Sequence, residues 1–153
     1  FEGEAGHKVG AVNNACQIAP WADGTAATVS AWWRTNPDAK AVPGRKFAMH
    51  RVDGVEQIKI PALATVCNSG VLALEVAKML GATRIRLFGF DMHGSHFFGE
   101  YSNGLRNTTD AQRARHLDQY RNWAKANGGI EVINCTAGSA LDCDSALLCG
   151  LVV

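Results

Sequence analysis

The chain has 153 residues, a formal net charge of +1, 47% hydrophobic residues and 19% charged residues. That balance suits one globular domain, 1–153, with a single core, and it excludes a disordered chain. Lysines and arginines are scattered, which argues against a nucleic-acid partner or an anionic membrane surface. No apolar run approaches the roughly 20 residues of a membrane span. The five cysteines, Cys16, Cys67, Cys135, Cys143 and Cys149, are odd in number and form no C-x-x-C. They read as reduced, mostly buried thiols of a cytoplasmic protein. The first residue is Phe1 rather than Met, as expected of a truncated or processed product.

In chain order, Val9 to Val12 is short and apolar and reads as a buried strand that ends in Asn13-Asn14. Pro20, Trp21, Asp23 and Gly24 make a turn, and a weakly helical stretch runs from about Thr25 to Arg34. Pro37 and Pro43 bracket a turn-rich connection. Lys46 to His50 and Gln57 to Ile60 read as short strands, and Val52-Asp53-Gly54-Val55 between them suits a hairpin turn. Asn68-Ser69-Gly70 opens the strongest helix, Val71 to Leu80, which is apolar nearly all round. Gly81 stands where a left-handed C-terminal residue belongs. Thr83 to Phe90 is a second strong strand. Thr109-x-x-Gln112 suits a capping box for a helix from Asp110 to about Ala126, and Ile130 to Ile133 reads as a third buried strand. The apolar tail 146–153 suits a packing strand, a helical turn or an artefact of truncation. Strands alternating with helices predict βαβ crossovers and a mostly parallel α/β sheet.

The densest functional signal is residues 84–107. An apolar strand stops at Asp91 and opens into a polar, glycine-rich loop with His93, His96, Glu100, Tyr101, Arg106 and Asn107. Ligands of open α/β sheets bind outside the carboxyl ends of the strands. Asn13-Asn14, Asp91 to His93 and Asn134 to Thr136 each leave such an end. Asn68, Ser69 and Gly70 offer small residues and free N–H groups that suit an anion, although a helix cap without a ligand is the commoner case. Asp91 suits a ribose or sugar hydroxyl, a metal, or a loop cap. Arg106 with Asn107 suits a phosphate or carboxylate, or simply precedes a helix. Asp91-x-His93-x-x-His96 invites a metal test, with hydrogen-bonded or exposed histidines the leading reading; one of the two as a general base is the better catalytic reading. His7 and His116 read as surface residues. There is no G-x-x-x-x-G-K-[ST], no G-x-G-x-x-G and no G-x-S-x-G.

VGAVNNA, APWAD, WWR, NSGVLALEVAKMLGATRIRLFGFDM and INCTAGSALDC resemble a family of short phage and prophage proteins of undetermined function, over roughly residues 9–144. That family is distantly similar to the bacterial sialyltransferases that use CMP-sialic acid and to pterin-diphosphokinase-like Rossmann-type proteins. The thinner likeness rests on Ser69-Gly70, Gly89-Phe90-Asp91, Gly104, residues 107–110 and Ser139-Ala140-Leu141. It implies a Rossmann-like three-layer sandwich, here lacking its first strand and the Gly-Pro-Ser-type loop that holds nucleotide phosphates. It implies nucleotide contacts at Asn13, Asn14, Asn68, Ser69, Gly70 and Asp91, and more weakly at Thr136 and Ser139. It also implies a general-base histidine near Gly104-Leu105-Arg106. Neither Leu105 nor Arg106 does that work at neutral pH, which leaves His93 or His96.

The resulting expectation is a nucleotide or nucleotide-sugar binding domain resembling a glycosyltransferase. No resident cofactor is implied; a CMP-type nucleotide is the expected substrate or ligand. The alternative is a non-catalytic phage or mobile-element protein that self-assembles as a homo-oligomer or binds a protein partner.

Overall fold

The computed structural model describes residues 7–60 and 68–141. The tail 146–153, Cys67, Cys143 and Cys149 lie outside the described residues. The chain divides into two compact units, 1–76 and 77–153.

In the first unit, β1 (Gly10–Val12), β2 (Gly24–Ala26), β3 (Arg45–Ala48) and β4 (Glu56–Gln57) form a sheet in the order β1-β2-β3-β4. Every pair is parallel, with Ala11 opposite Thr25 and Thr25 opposite Lys46. Thr25, Ala26, Phe47 and Ala48 are buried, as expected of central strands in a parallel sheet.

Two expectations are corrected here. The helix expected from about Thr25 begins only at Ser30, as α1 (Ser30–Thr35). Gly24 and the β-branched Thr25 weaken a helix locally. Hydrogen bonding to β1 on one side and β3 on the other decides for a strand. The hairpin is also corrected. Val52 and Val55 do form an antiparallel bridge, but β3 and β4 on either side of that turn pair in parallel.

Side chains lock this unit. The Trp33 indole donates to the Ala27 carbonyl at 3.0 Å, and Trp32 meets Trp33 edge to face at 4.9 Å. Lys46 is buried, and its ammonium donates to the carbonyls of Val42, Pro43 and Gly44. Burial holds its pKa below the ordinary lysine value. Gly44 has φ +85°, and a Cβ there would come within 2.7 Å of the Asp23 carbonyl carbon. Both the left-handed backbone and the close approach require glycine.

The chain passes into the second unit within α2 (Ser69–Met79). Val71, Leu72, Leu74 and Val76 are buried. The helix ends at Gly81, φ +88°, with Ala82 N–H donating to the Ala77 carbonyl, a Schellman-type closure. In the second unit, β5 (Arg84–Leu87) and β6 (Glu131–Asn134) are parallel neighbours, with Leu87 opposite Asn134. They are joined through α3 (Asp110–Ala126), which opens on the expected Thr109–Gln112 capping box. Tyr120, Trp123 and Ala124 are buried, whereas Ala114 is exposed. Parallel strands with connecting helices make the fold α/β and Rossmann-like. Among the described residues, no helix is long and apolar enough to cross a membrane.

Candidate functional site at the carboxyl ends of β5 and β6

In the first unit, several expected ligand groups already hold the fold together. Asn14 is buried, and its Oδ1 accepts from the Trp32 indole N–H at 2.7 Å. Asn68 Oδ1 accepts from the Val71 N–H at 3.0 Å, a helix cap. Ser69 Oγ lies 3.1 Å from Thr28 Oγ1 and accepts from the Thr28 N–H at 3.1 Å. Gly70 is buried in the first turn of α2. Asn13 follows β1 in the left-handed region, φ +50°, which asparagine tolerates better than most residues.

In the second unit, the segments leaving β5 and β6 are laced together. The Cys135 N–H donates to the Leu87 carbonyl at 2.8 Å. Phe90 is held on both sides: its N–H donates to Thr136 Oγ1 at 3.0 Å, and its carbonyl accepts from Ser139 Oγ at 2.6 Å. The Ala140 N–H then donates to the Asp91 carbonyl at 2.8 Å. Met92, with φ +59°, is a non-glycine residue in the left-handed region, a conformation that costs of order 1–3 kcal/mol and persists where neighbours fix it. Thr136 and Ser139 therefore act on the backbone of this edge. The Asp91 side chain stays exposed. Its backbone is pinned, and among the described residues its carboxylate is engaged in no hydrogen bond or ion pair.

The two expected histidines part company. His93 Nε2 is 3.0 Å from the Gly138 carbonyl. A carbonyl only accepts, so Nε2 carries the proton and Nδ1 is the free acceptor when the ring is neutral. His96 sits in a small turn closed by a His96–Gly99 bridge. Its ring stacks on Phe98 at 4.9 Å with planes 7° apart and meets Tyr101 at 5.3 Å. Burial, and then the Arg113 guanidinium, push its pKa below the ordinary histidine value, so it is neutral at pH 7. Among the described residues, no group of three or more His, Cys, Asp or Glu side chains is placed to hold a metal ion. Asp91, His93 and His96 do not converge on one.

His96 lines a cavity of about 280 Å³ together with Ser95, Glu100, Asn107, Thr108 and Arg113, beside Gly94 and Gly99. Asn107 Oδ1 accepts from the Tyr101 N–H at 2.9 Å, which turns its amide nitrogen free to donate elsewhere. The Arg113 guanidinium is paired with Asp110 and donates to the Gly94 carbonyl. Arg106, the expected anion grip, is exposed and lies outside the cavity lining.

Sequence reasoning missed Arg113. A signal was available: the capping box at Thr109 puts Arg113 in the first turn of α3, where the helix dipole disfavours a cation. An arginine there calls for a nearby acceptor, which Asp110 and the Gly94 carbonyl supply. His116, expected at the surface, is half-buried. Burial, then Arg115 and Arg113, lower its pKa.

These features define the class: a Rossmann-like α/β protein with a polar, pinned edge where β5 and β6 end. Comparison with protein-family models, curated proteins and solved structures finds no match to this chain.

Proposed function

We propose that the protein binds a nucleotide or nucleotide sugar of CMP type at the carboxyl-end edge of its parallel strands, as a glycosyltransferase-like domain. The observation that carries this reading is Asp91. Among the described residues it is an unengaged carboxylate, on a backbone fixed by Ala140, with its neighbour Phe90 fixed by Thr136 and Ser139. A carboxylate presented on the segment that leaves a parallel strand, four residues beyond Leu87, suits two neighbouring ribose hydroxyls, both of which donate to it.

For group transfer, His96 is the favoured general base. It is neutral at pH 7 and therefore able to accept a proton from an acceptor hydroxyl. His93 serves only through Nδ1. Arg106 offers an exposed positive charge for phosphate oxygens.

The test is thermal unfolding with CMP and CDP. Binding to the native state raises the melting temperature, and Asp91→Ala removes most of the rise while leaving the ligand-free melting temperature unchanged. No shift with any nucleotide at millimolar concentration counts against the proposal. It would favour the non-catalytic assembly reading, which light scattering tests directly as a homo-oligomer.

A further inference from the structure

The cavity under the His96–Gly99 turn has a chemistry of its own. Its side-chain lining contains no aliphatic residue. Donors dominate: the Arg113 guanidinium, the free amide nitrogen of Asn107, and the Ser95 and Thr108 hydroxyls. Against them stands one carboxylate, Glu100, which is exposed and among the described residues has no hydrogen-bond or ion-pair partner. Arg113 pairs with Asp110 and not with Glu100. Glu100 is thus the carboxylate of the cavity that Arg113, already paired with Asp110, does not neutralise.

A ligand matched to this lining brings a cation for Glu100 and acceptor oxygens for the donors. Phe98 and Tyr101 pack on His96 and hold its ring in the cavity wall. A phosphate dianion fits poorly, because it brings no cation for Glu100 and meets that carboxylate instead. A nucleobase finds no apolar lining.

We propose that this cavity is a binding site for a small zwitterion of the α-amino-acid class. Its ammonium group sits at Glu100, and its carboxylate is received by Asn107, Thr108 and Arg113. The volume of about 280 Å³ lies near the lower end of small-molecule sites, about 300 Å³, which suits a ligand of this size. The proposal needs neither Asp91 nor a nucleotide; it shares His96 with the transfer reading, as part of the cavity wall.

The experiment is isothermal titration of the full chain, without nucleotide, with L-serine and L-glutamate. Lactate serves as the amine-free control, ethanolamine as the carboxylate-free control and glucose as the neutral polyol. The account predicts saturable binding of an amino acid and no binding of lactate or ethanolamine at the same concentration. It also predicts that Glu100→Gln weakens the amino acid by about tenfold or more. Glu100 is exposed and unpartnered, so an unchanged melting temperature for that variant shows that the loss is not unfolding. Binding of glucose in place of the amino acids overturns the proposal. So does a Glu100→Gln variant that binds them as well as the parent, or the absence of saturable binding at millimolar concentration. CMP binding measured separately leaves each of these outcomes readable.

Discussion

The Ser139 hydroxyl donates to the carbonyl of Phe90 at 2.6 Å, across 49 residues of sequence. The same hydroxyl accepts from the Leu141 N–H at 2.9 Å. One serine thus joins the exit of β5 to the turn after β6 and holds the backbone from which Asp91 projects. Ser139→Ala removes both bonds. The expected loss is about 1–2 kcal/mol, since each hydrogen bond contributes about 1 kcal/mol net. Denaturant unfolding measures that loss, and amide exchange at Leu141, whose N–H loses its acceptor, should quicken.

Asn14→Ala is expected to destabilise without touching any ligand site of the second unit. The buried Trp32 N–H loses the acceptor it meets at 2.7 Å. An orphaned buried donor costs about 1–3 kcal/mol. Chemical denaturation reads the loss, and Trp32 fluorescence reports the altered indole environment.

The helix cap at the start of α2 separates a structural from a ligand role in the same way. Asn68→Ala removes the acceptor for the Val71 N–H, and the expected cost is about 1 kcal/mol. If Asn68 also served a nucleotide, the variant would lose CMP affinity beyond this stability change. Titration of the folded variant with CMP distinguishes the two.

These residues mark where the sequence was readable. Local signals carried α3 to its observed bounds, because a capping box and a regular apolar stripe act within a few residues. They carried the α2 terminus at Gly81 for the same reason. They failed at Thr25 and Ala26. Those residues pair on both edges with strands distant in sequence, so the outcome is decided by tertiary hydrogen bonding. The hairpin failed likewise: the Val52–Val55 turn was readable, but the parallel partnership of β3 and β4 is not encoded in the turn. At the site, Asp91 was legible because the polar residue stands directly after an apolar run. The cavity around Arg113 was not. It depends on a loop folding back over the first turn of α3, as the Arg113 bond to the Gly94 carbonyl records.

Acid should destabilise the second unit before the carboxylates titrate. His96 and His116 both have pKa values held below the ordinary histidine value in the folded chain. The unfolded chain therefore binds more protons than the folded one as pH falls below about 6.5. Stability from these two groups is fully present above that pH and is lost as pH falls through the lowered folded values. His96→Gln should flatten the pH dependence of the unfolding free energy between pH 7 and about pH 5. A variant with the parent's slope contradicts the assignment.

The central claim is that the carboxyl ends of β5 and β6 form a nucleotide site with Asp91 as its free carboxylate. The most direct measurement is a ¹⁵N-edited NMR titration of the chain with CMP. The account predicts saturable shifts concentrated in the amides of residues 88–93 and 136–140, abolished by Asp91→Ala while the rest of the spectrum is kept. No shifts there, or shifts that survive Asp91→Ala unchanged, would contradict it.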